Sequence, residues 1–118
     1  MKVIICGGRD WSPSSSQIAY AVSDSGFTMT TLICGVAQGV DAAGRAWAEA
    51  VGIPVELYPA DWNTYGRAAG PMRNAQMRDA ADACIAFRGG KGTANMVSLM
   101  LDVEKPVYQV KEAPRDGE

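Results

Sequence analysis

An α/β sandwich around a five-stranded parallel sheet is the fold this sequence predicts, on three observations. Five short apolar runs alternate with stretches of helical periodicity, each run ends at Gly, Asp or Pro, and the runs are continuously apolar, as strands covered on both faces are. The first strand is read over residues 3–6, the second over 31–34, the third over 55–58, the fourth over 83–87 and the fifth over 107–110, all buried on both faces. Ser12-Pro13 supplies an N-cap and first helical position for the first helix, which carries Ile18, Ala21 and Val22 on one face. A second helix is expected over 42–51, ending at Gly52-Ile53-Pro54, and a third over 71–81. A fourth, over 92–103, aligns Met96, Leu99, Met100 and Val103 at helical spacing.

Right-handed crossovers then give the strand order 3-2-1-4-5, a small Rossmann-like three-layer sandwich. Its topological switch point, where ligands of open α/β sheets bind, falls between strands 1 and 4. The 118 residues, 47% apolar and 20% charged, suit one domain. That domain is expected over 1–111, with a polar, flexible tail over 112–118.

Eleven Lys and Arg against thirteen Asp and Glu leave a net charge of −2. Duplex DNA, which calls for a broad positive field, is therefore not an expected partner, and any anion site has to be local. The chain has no histidine, which removes Ser-His-Asp and Cys-His chemistry, histidine-ligated zinc and histidine proton shuttles. Its cysteines, Cys6, Cys34 and Cys84, are odd in number, widely spaced and set in apolar runs, a pattern of the reducing cytoplasm. They read as small strand hydrophobes; Cys34, beside a Gly turn, is the one placed to be a nucleophile, and nothing in the sequence activates it. The start Met1-Lys2-Val3-Ile4-Ile5-Cys6 is too short in apolar residues for a signal peptide or a span, so a soluble protein without a membrane partner is expected.

The residues able to carry chemistry lie in the turns after the strands. Gly89-Gly90-Lys91-Gly92-Thr93 joins the fourth strand to a helix, where uncrowded backbone N–H groups meet the positive end of a helix dipole and suit a phosphate. It is not a P-loop, because Lys91 precedes Gly92, and no Gly-x-Gly-x-x-Gly is present. A Gly-rich turn that only lets the chain reverse is the other reading. Thr93 is taken as the cap of the helix that follows, and Met96 as core. The turn from Gly35 to Asp41 again links strand to helix; Asp41 is either a cap or first-turn carboxylate or a contact to a ligand ribose.

The longest connection, 59–71, holds Asp61, Trp62, Tyr65 and Arg67; Trp62 or Tyr65 either stacks on a base or pins the loop to the domain. Arg9, Arg67, Arg73, Arg88 and Lys91, five of eleven basic residues, all fall near strand ends. In an acidic chain that segregation points to an anionic ligand, against a solvated rim paired with Asp10 and Asp61. Asp10, Asp41 and Asp61 could bracket a Mg²⁺ riding on phosphates, but no ligand spacing calls for a metal or another cofactor.

Taken in order, these motifs resemble the SLOG superfamily of Rossmann-like nucleotide-ligand domains, most closely its short YspA/YpsA-related branch, common in phage and bacterial genomes. The resemblance spans about residues 2–110. It rests on Gly7-Gly8-Arg9-Asp10-Trp11, the segment from Gly35 to Asp41, Pro59-Ala60-Asp61-Trp62 with Tyr65-Gly66, Ala69-Gly70-Pro71 with Arg73-Asn74, and Gly89-Gly90-Lys91-Gly92-Thr93. The superfamily includes cytokinin-activating phosphoribohydrolases, single-stranded-DNA-binding recombination mediators, and sensors of NAD-derived cyclic ADP-ribose signals. The phosphoribohydrolase pattern Pro-Gly-Gly-x-Gly-Thr-x-x-Glu has Arg88 and Met96 here at its Pro and Glu positions, while its partner Arg matches Arg73. The mediators' Arg-Asn-Arg is broken by Ala75.

A module that senses or sequesters a nucleotide or ADP-ribose-type ligand is therefore expected, with phosphates at Gly89 to Thr93 and at Gly7-Gly8. Arg9, Gly35, Asp41, Trp62, Arg73 and Asn74 complete the expected ligand contacts. The alternative is an N-glycoside phosphoribohydrolase acting on a nucleotide or NAD derivative, with Asp10, Asp61 and Arg73 as catalytic groups. Loss of one positioned acid or base typically costs 10²–10⁴-fold in rate, so the absent Glu at position 96 favours binding without turnover. A single-stranded nucleic-acid accessory protein is the third reading, and a homo-oligomer is compatible with all three.

Overall fold

The computed structural model describes residues 1–111, so the tail expected over 112–118 lies outside the described residues. In chain order the elements are β1 (Lys2–Cys6), α1 (Ser15–Ser25), β2 (Thr31–Cys34), α2 (Val40–Val51), β3 (Val55–Leu57), α3 (Trp62–Tyr65), α4 (Ala69–Ala80), β4 (Ala83–Ala86), α5 (Lys91–Asp102) and β5 (Val107–Gln109). A one-turn 3-10 helix, Gly66–Ala68, joins α3 to α4. All strand pairs are parallel, and the sheet order is β3-β2-β1-β4-β5, as the sequence predicts.

Side chains along a strand alternate between faces, and β1 divides its apolar residues accordingly. Val3 and Ile5 pack on one side with Ile18 and Ala21 of α1 and Val40 and Ala48 of α2. Ile4 and Cys6 pack on the other with Met77 of α4 and Met96 and Met100 of α5. Ile4, Ile5, Ile33 and Ile85 lose nearly all their solvent exposure, each burial worth about 1.5–3 kcal/mol.

Burial on both faces holds for β1, β2 and β4 but not for the other two strands. β3 and β5 are edges, three residues each and only partly buried, because each pairs with a strand on one side alone among the described residues. Tyr58, Phe87 and Val110, which the sequence places at the ends of strands, fall just outside the observed ones.

The first helix starts two residues later than Ser12-Pro13 suggested, because Ser14 and Gln17 form a capping box. The Gln17 N–H donates to Ser14 Oγ at 3.1 Å and the Ser14 N–H to Gln17 Oε1 at 2.7 Å. α2 begins at Val40, with Gly39 at the cap position, so Asp41 is a first-turn residue and not the cap. Gly39 has φ +70°, and a Cβ there would strike the Gly8 carbonyl.

The connection over 59–71 is largely helical. Asp61 caps α3 by accepting the Thr64 N–H at 3.1 Å, and the chain runs through the 3-10 turn directly into α4. Pro71 is the third residue of α4, inside the first turn where a missing N–H leaves no helical bond unmade.

Candidate functional site

β1 and β4 lie side by side, and their chains leave toward α1 and α5 respectively. The two exits are locked together by backbone. The Gly8 N–H donates to the Arg88 carbonyl at 2.8 Å, and the Val40 N–H donates to the Gly8 carbonyl at 3.1 Å. This junction has no room for side chains: a Cβ on Gly7 would lie 2.7 Å from Val40 Cγ2, and one on Gly89 would lie 2.7 Å from the Gly8 nitrogen. The Gly8 N–H is therefore committed to Arg88 and not available to the phosphate that the sequence places at Gly7-Gly8. Trp11 seals the same junction, its indole N–H donating to the Arg88 carbonyl at 3.1 Å while the Arg88 guanidinium lies 4.2 Å over its ring.

Above the junction is a cleft of about 640 Å³. One wall is the start of α5, formed by Gly90, Lys91, Gly92 and Thr93. The cap position is Gly90, so Thr93 sits third in the helix and is not its cap. The first N–H groups of a helix have no acceptor within it. Nothing lies within 4 Å of where a Cβ on Gly90 or Gly92 would stand. A ligand can thus approach the positive helix end without meeting a side chain.

Arg9 and Trp62 also line the cleft, with the guanidinium 5.5 Å above the indole ring. Trp62 is held at the mouth by α3 and lies against Gly70, where a Cβ would come within 3.2 Å of Cη2. Trp62 is 47% exposed.

Asp41, Arg73 and Asn74 form the floor and are buried. The Arg73 guanidinium donates through Nη1 to the carbonyls of Gly35 and Tyr58 and through Nε to Asn74 Oδ1 at 3.1 Å. Asn74 in turn donates through Nδ2 to the Gly92 carbonyl at 3.2 Å and to Asn95 Oδ1 at 2.9 Å. Adjacent residues of α4 thereby tie the β2 turn to the start of α5. Gly35 faces Asp41 and Arg73, not the cleft: its Cβ would stand 2.8 Å from Asp41 Oδ2 and 2.9 Å from Arg73 Nη1. Asp41 Oδ2 accepts the Ala37 N–H at 3.3 Å. Burial pushes the Asp41 carboxyl above the ordinary carboxylate range, against the pull of Arg73, the Ala37 N–H and Arg9. Burial likewise lowers the Arg73 guanidinium, with Asp41 acting in opposition.

Of the five basic residues read as converging, Arg9, Arg73 and Lys91 line the cleft. Arg88 and Gly89 face a separate groove between α5 and the end of β5, and Arg67 lines neither. Asp10 and Asp61 are exposed and lie outside the cleft lining. Among the described residues no three or more Cys, Asp or Glu side chains gather into a set able to hold a metal ion, so Asp10, Asp41 and Asp61 do not form the bracket considered for Mg²⁺. Met96 is 1% exposed and shared between cleft floor and core. Cys34 is buried, and burial raises its thiol above the ordinary range, the opposite of an activated nucleophile. Cys6, Met77 and Asn95 also line the cleft, though the sequence does not mark them as ligand contacts. Cys6, as the last residue of a strand at the switch point, was findable by that rule; Asn95 depends on α4 lying against α5.

The family model described as YAcAr, the YspA, cpYpsA-related SLOG family, matches residues 1–65. The Gene 61 protein of Mycobacterium phage D29 is 32% identical over 124 residues, covering 96% of this chain and 98% of that protein. The chain belongs to the YspA, cpYpsA-related SLOG family. The matched SLOG segment contains β1 to α3 and so the turns bearing Gly7 to Trp11, Gly35 to Asp41, and Asp61-Trp62. A solved structure with the same fold is DNA processing protein A (DprA) from Streptococcus pneumoniae, with a TM-score of 0.75 and 15% identity over 98% of this chain. The chain spans 52% of that protein's solved length. No helix among the described residues of this SLOG protein is long and apolar enough to cross a membrane.

Proposed function

We propose that the cleft binds a nucleotide or an ADP-ribose-type, NAD-derived ligand, for sensing or sequestration, with a phosphate at the first turn of α5. The observation that carries this is the convergence of an uncapped, sterically open helix N-terminus with Arg9, Arg73 and Lys91 in a chain of net charge −2. Charge-assisted hydrogen bonds are worth about 1.5–3 kcal/mol each, so two or three suffice for much of a micromolar affinity. Trp62, about half exposed beside the cleft with Arg9 over its ring, supplies an aromatic surface against which a base can pack.

One observation favours a second reading, N-glycoside hydrolysis. Asp41 is a buried carboxylate in the cleft lining with a raised proton affinity, the property asked of a general acid near neutral pH. In that reading Asp41 replaces Asp10 and Asp61 as the acid. Against it stands Met96, apolar and core-packed at the position of the phosphoribohydrolase Glu. Single-stranded nucleic acid is the least supported ligand, given the net negative charge.

Incubation with nucleoside 5′-monophosphates, NAD and cyclic ADP-ribose, followed by mass spectrometry of retained and released species, decides between the first two. Retention of an intact ligand is expected. Release of free base or nicotinamide at enzyme-like rates, stopped by Asp41→Asn, would replace binding with hydrolysis.

A further inference from the structure

We infer that Asp41 selects ligands carrying a ribose cis-diol and rejects their 2′,3′-dideoxy counterparts. The inference rests on the nucleotide reading above and adds the hydroxyl specificity of the site.

An ionised carboxylate accepts hydrogen bonds and cannot donate them. Asp41 lines a cleft whose other charged groups, Arg9, Arg73 and Lys91, suit an anion. Phosphate oxygens are acceptors too, so a phosphate alone leaves Asp41 unmatched and repelled. Among the described residues its carboxylate takes one side-chain-to-backbone bond, the Ala37 N–H on Oδ2, and none on Oδ1. Arg73 does not neutralise it through a close ion pair: the Arg73 donors go to the carbonyls of Gly35 and Tyr58 and to Asn74. A molecule that covers this point of the floor must therefore bring hydrogen-bond donors, because an acceptor that it buries unpaired is costly.

Within a nucleotide the moiety beside the phosphate that offers donors is the sugar. Asp41 is connected to the α5 start by a short chain of contacts, through Gly35 and Arg73 to Asn74 and the Gly92 carbonyl. Trp62, with Arg9 over its ring, lines the same cleft. A nucleotide with its phosphate on α5 and its base on Trp62 presents the intervening ribose to Asp41, and two neighbouring hydroxyls can both reach one carboxylate.

The test measures binding of AMP, GMP, CMP, UMP, NAD and cyclic ADP-ribose by calorimetry, each binder then compared with its 2′,3′-dideoxy counterpart. Wild type is expected to bind the ribose form about ten- to a hundredfold more tightly, the range of a charge-assisted hydrogen bond. Asp41→Asn keeps an oxygen for the Ala37 N–H and removes the repelling charge, so it should bind the dideoxy form at least as tightly as wild type while the gap between the two shrinks severalfold. That retained affinity shows the variant is folded. Equal binding of both forms by wild type overturns the inference and leaves the nucleotide reading standing. Failure of every compound in the set to bind overturns both.

Discussion

The Gly8 N–H and the Arg88 carbonyl, 2.8 Å apart, join the two turns that bound the cleft. The bond makes the exits of β1 and β4 one rigid unit, with Val40 fastened to the other side of Gly8. It also divides the glycines into two kinds. Gly7 and Gly89 are small because backbone or core atoms press against them, whereas Gly90 and Gly92 face open space.

That division predicts opposite outcomes for neighbouring substitutions. Gly89→Ala drives a methyl into Gly8 and Thr93 and should cost about 1–3 kcal/mol, read as a lower urea midpoint. Gly90→Asp meets no atom, occupies an N-cap position that favours Asp, and should leave the midpoint within about 0.5 kcal/mol while removing anion binding. A destabilised Gly90→Asp, or one that binds a confirmed wild-type nucleotide normally, would contradict the phosphate site.

Arg73→Ala is expected to weaken both fold and ligand binding. The Gly35 and Tyr58 carbonyls lose their guanidinium donor, at about 1–3 kcal/mol for each buried acceptor left unpaired. Arg73→Lys restores the charge without the fork and should fall between wild type and Ala in chemical denaturation. Unchanged stability in Arg73→Ala would show that the clamp contributes nothing to folding.

Val36 is a β-branched residue with φ +58°, in the left-handed region. Such strain costs about 1–3 kcal/mol, and glycine recovers it less about 0.5–1 kcal/mol of chain entropy. Val36 is 45% exposed, so little packing is lost with it. Val36→Gly should therefore stabilise the protein by about 0.5–1 kcal/mol; a lower denaturation midpoint would mean that the Val36 side chain packs more than its exposure implies.

Asp41 sets a pH dependence. Its folded-state proton affinity is raised, chiefly by burial, so the folded protein holds this proton more tightly than the unfolded chain. The associated stability is fully present below the ordinary Asp value and is lost as pH rises through the higher folded value. Asp41→Asn should accordingly raise the melting temperature at pH 7, and the gain should diminish as pH falls toward about 4. A gain that is constant across that range would assign the effect to something other than this proton.

Much of this architecture is legible in one dimension because the determining forces are local in sequence. The apolar runs of β1, β2 and β4 are continuous because helices cover both sides, and their residues appear where the pattern put them. The segment around Trp62 misleads because Gly66, Gly70 and Pro71 resemble loop punctuation. In fact Asp61 caps one short helix and Pro71 occupies a first turn, where it obstructs nothing. The strand-end rule brings Arg9, Asp41, Arg73 and the α5 turn into one cleft. It fails to separate them from Asp10, Asp61 and Arg67, which occupy the same stretches but lie outside its lining. The Asn74–Asn95 contact was hidden for a different reason: it exists only after two helices pack, and neither residue carries a mark of the other.

The placement of β1 in the middle of the sheet bears on how the protein is made. Val3 pairs with Leu32 on one side and with Ala83 on the other. During synthesis β1 and β2 emerge early and can pair, but the other edge of β1 stays unpartnered until the ribosome has extended the chain beyond Ala86. At about 5–20 residues per second the nascent chain exposes that apolar edge for some seconds. The cleft needs both turns, so no ligand of the cleft can assist folding during this interval.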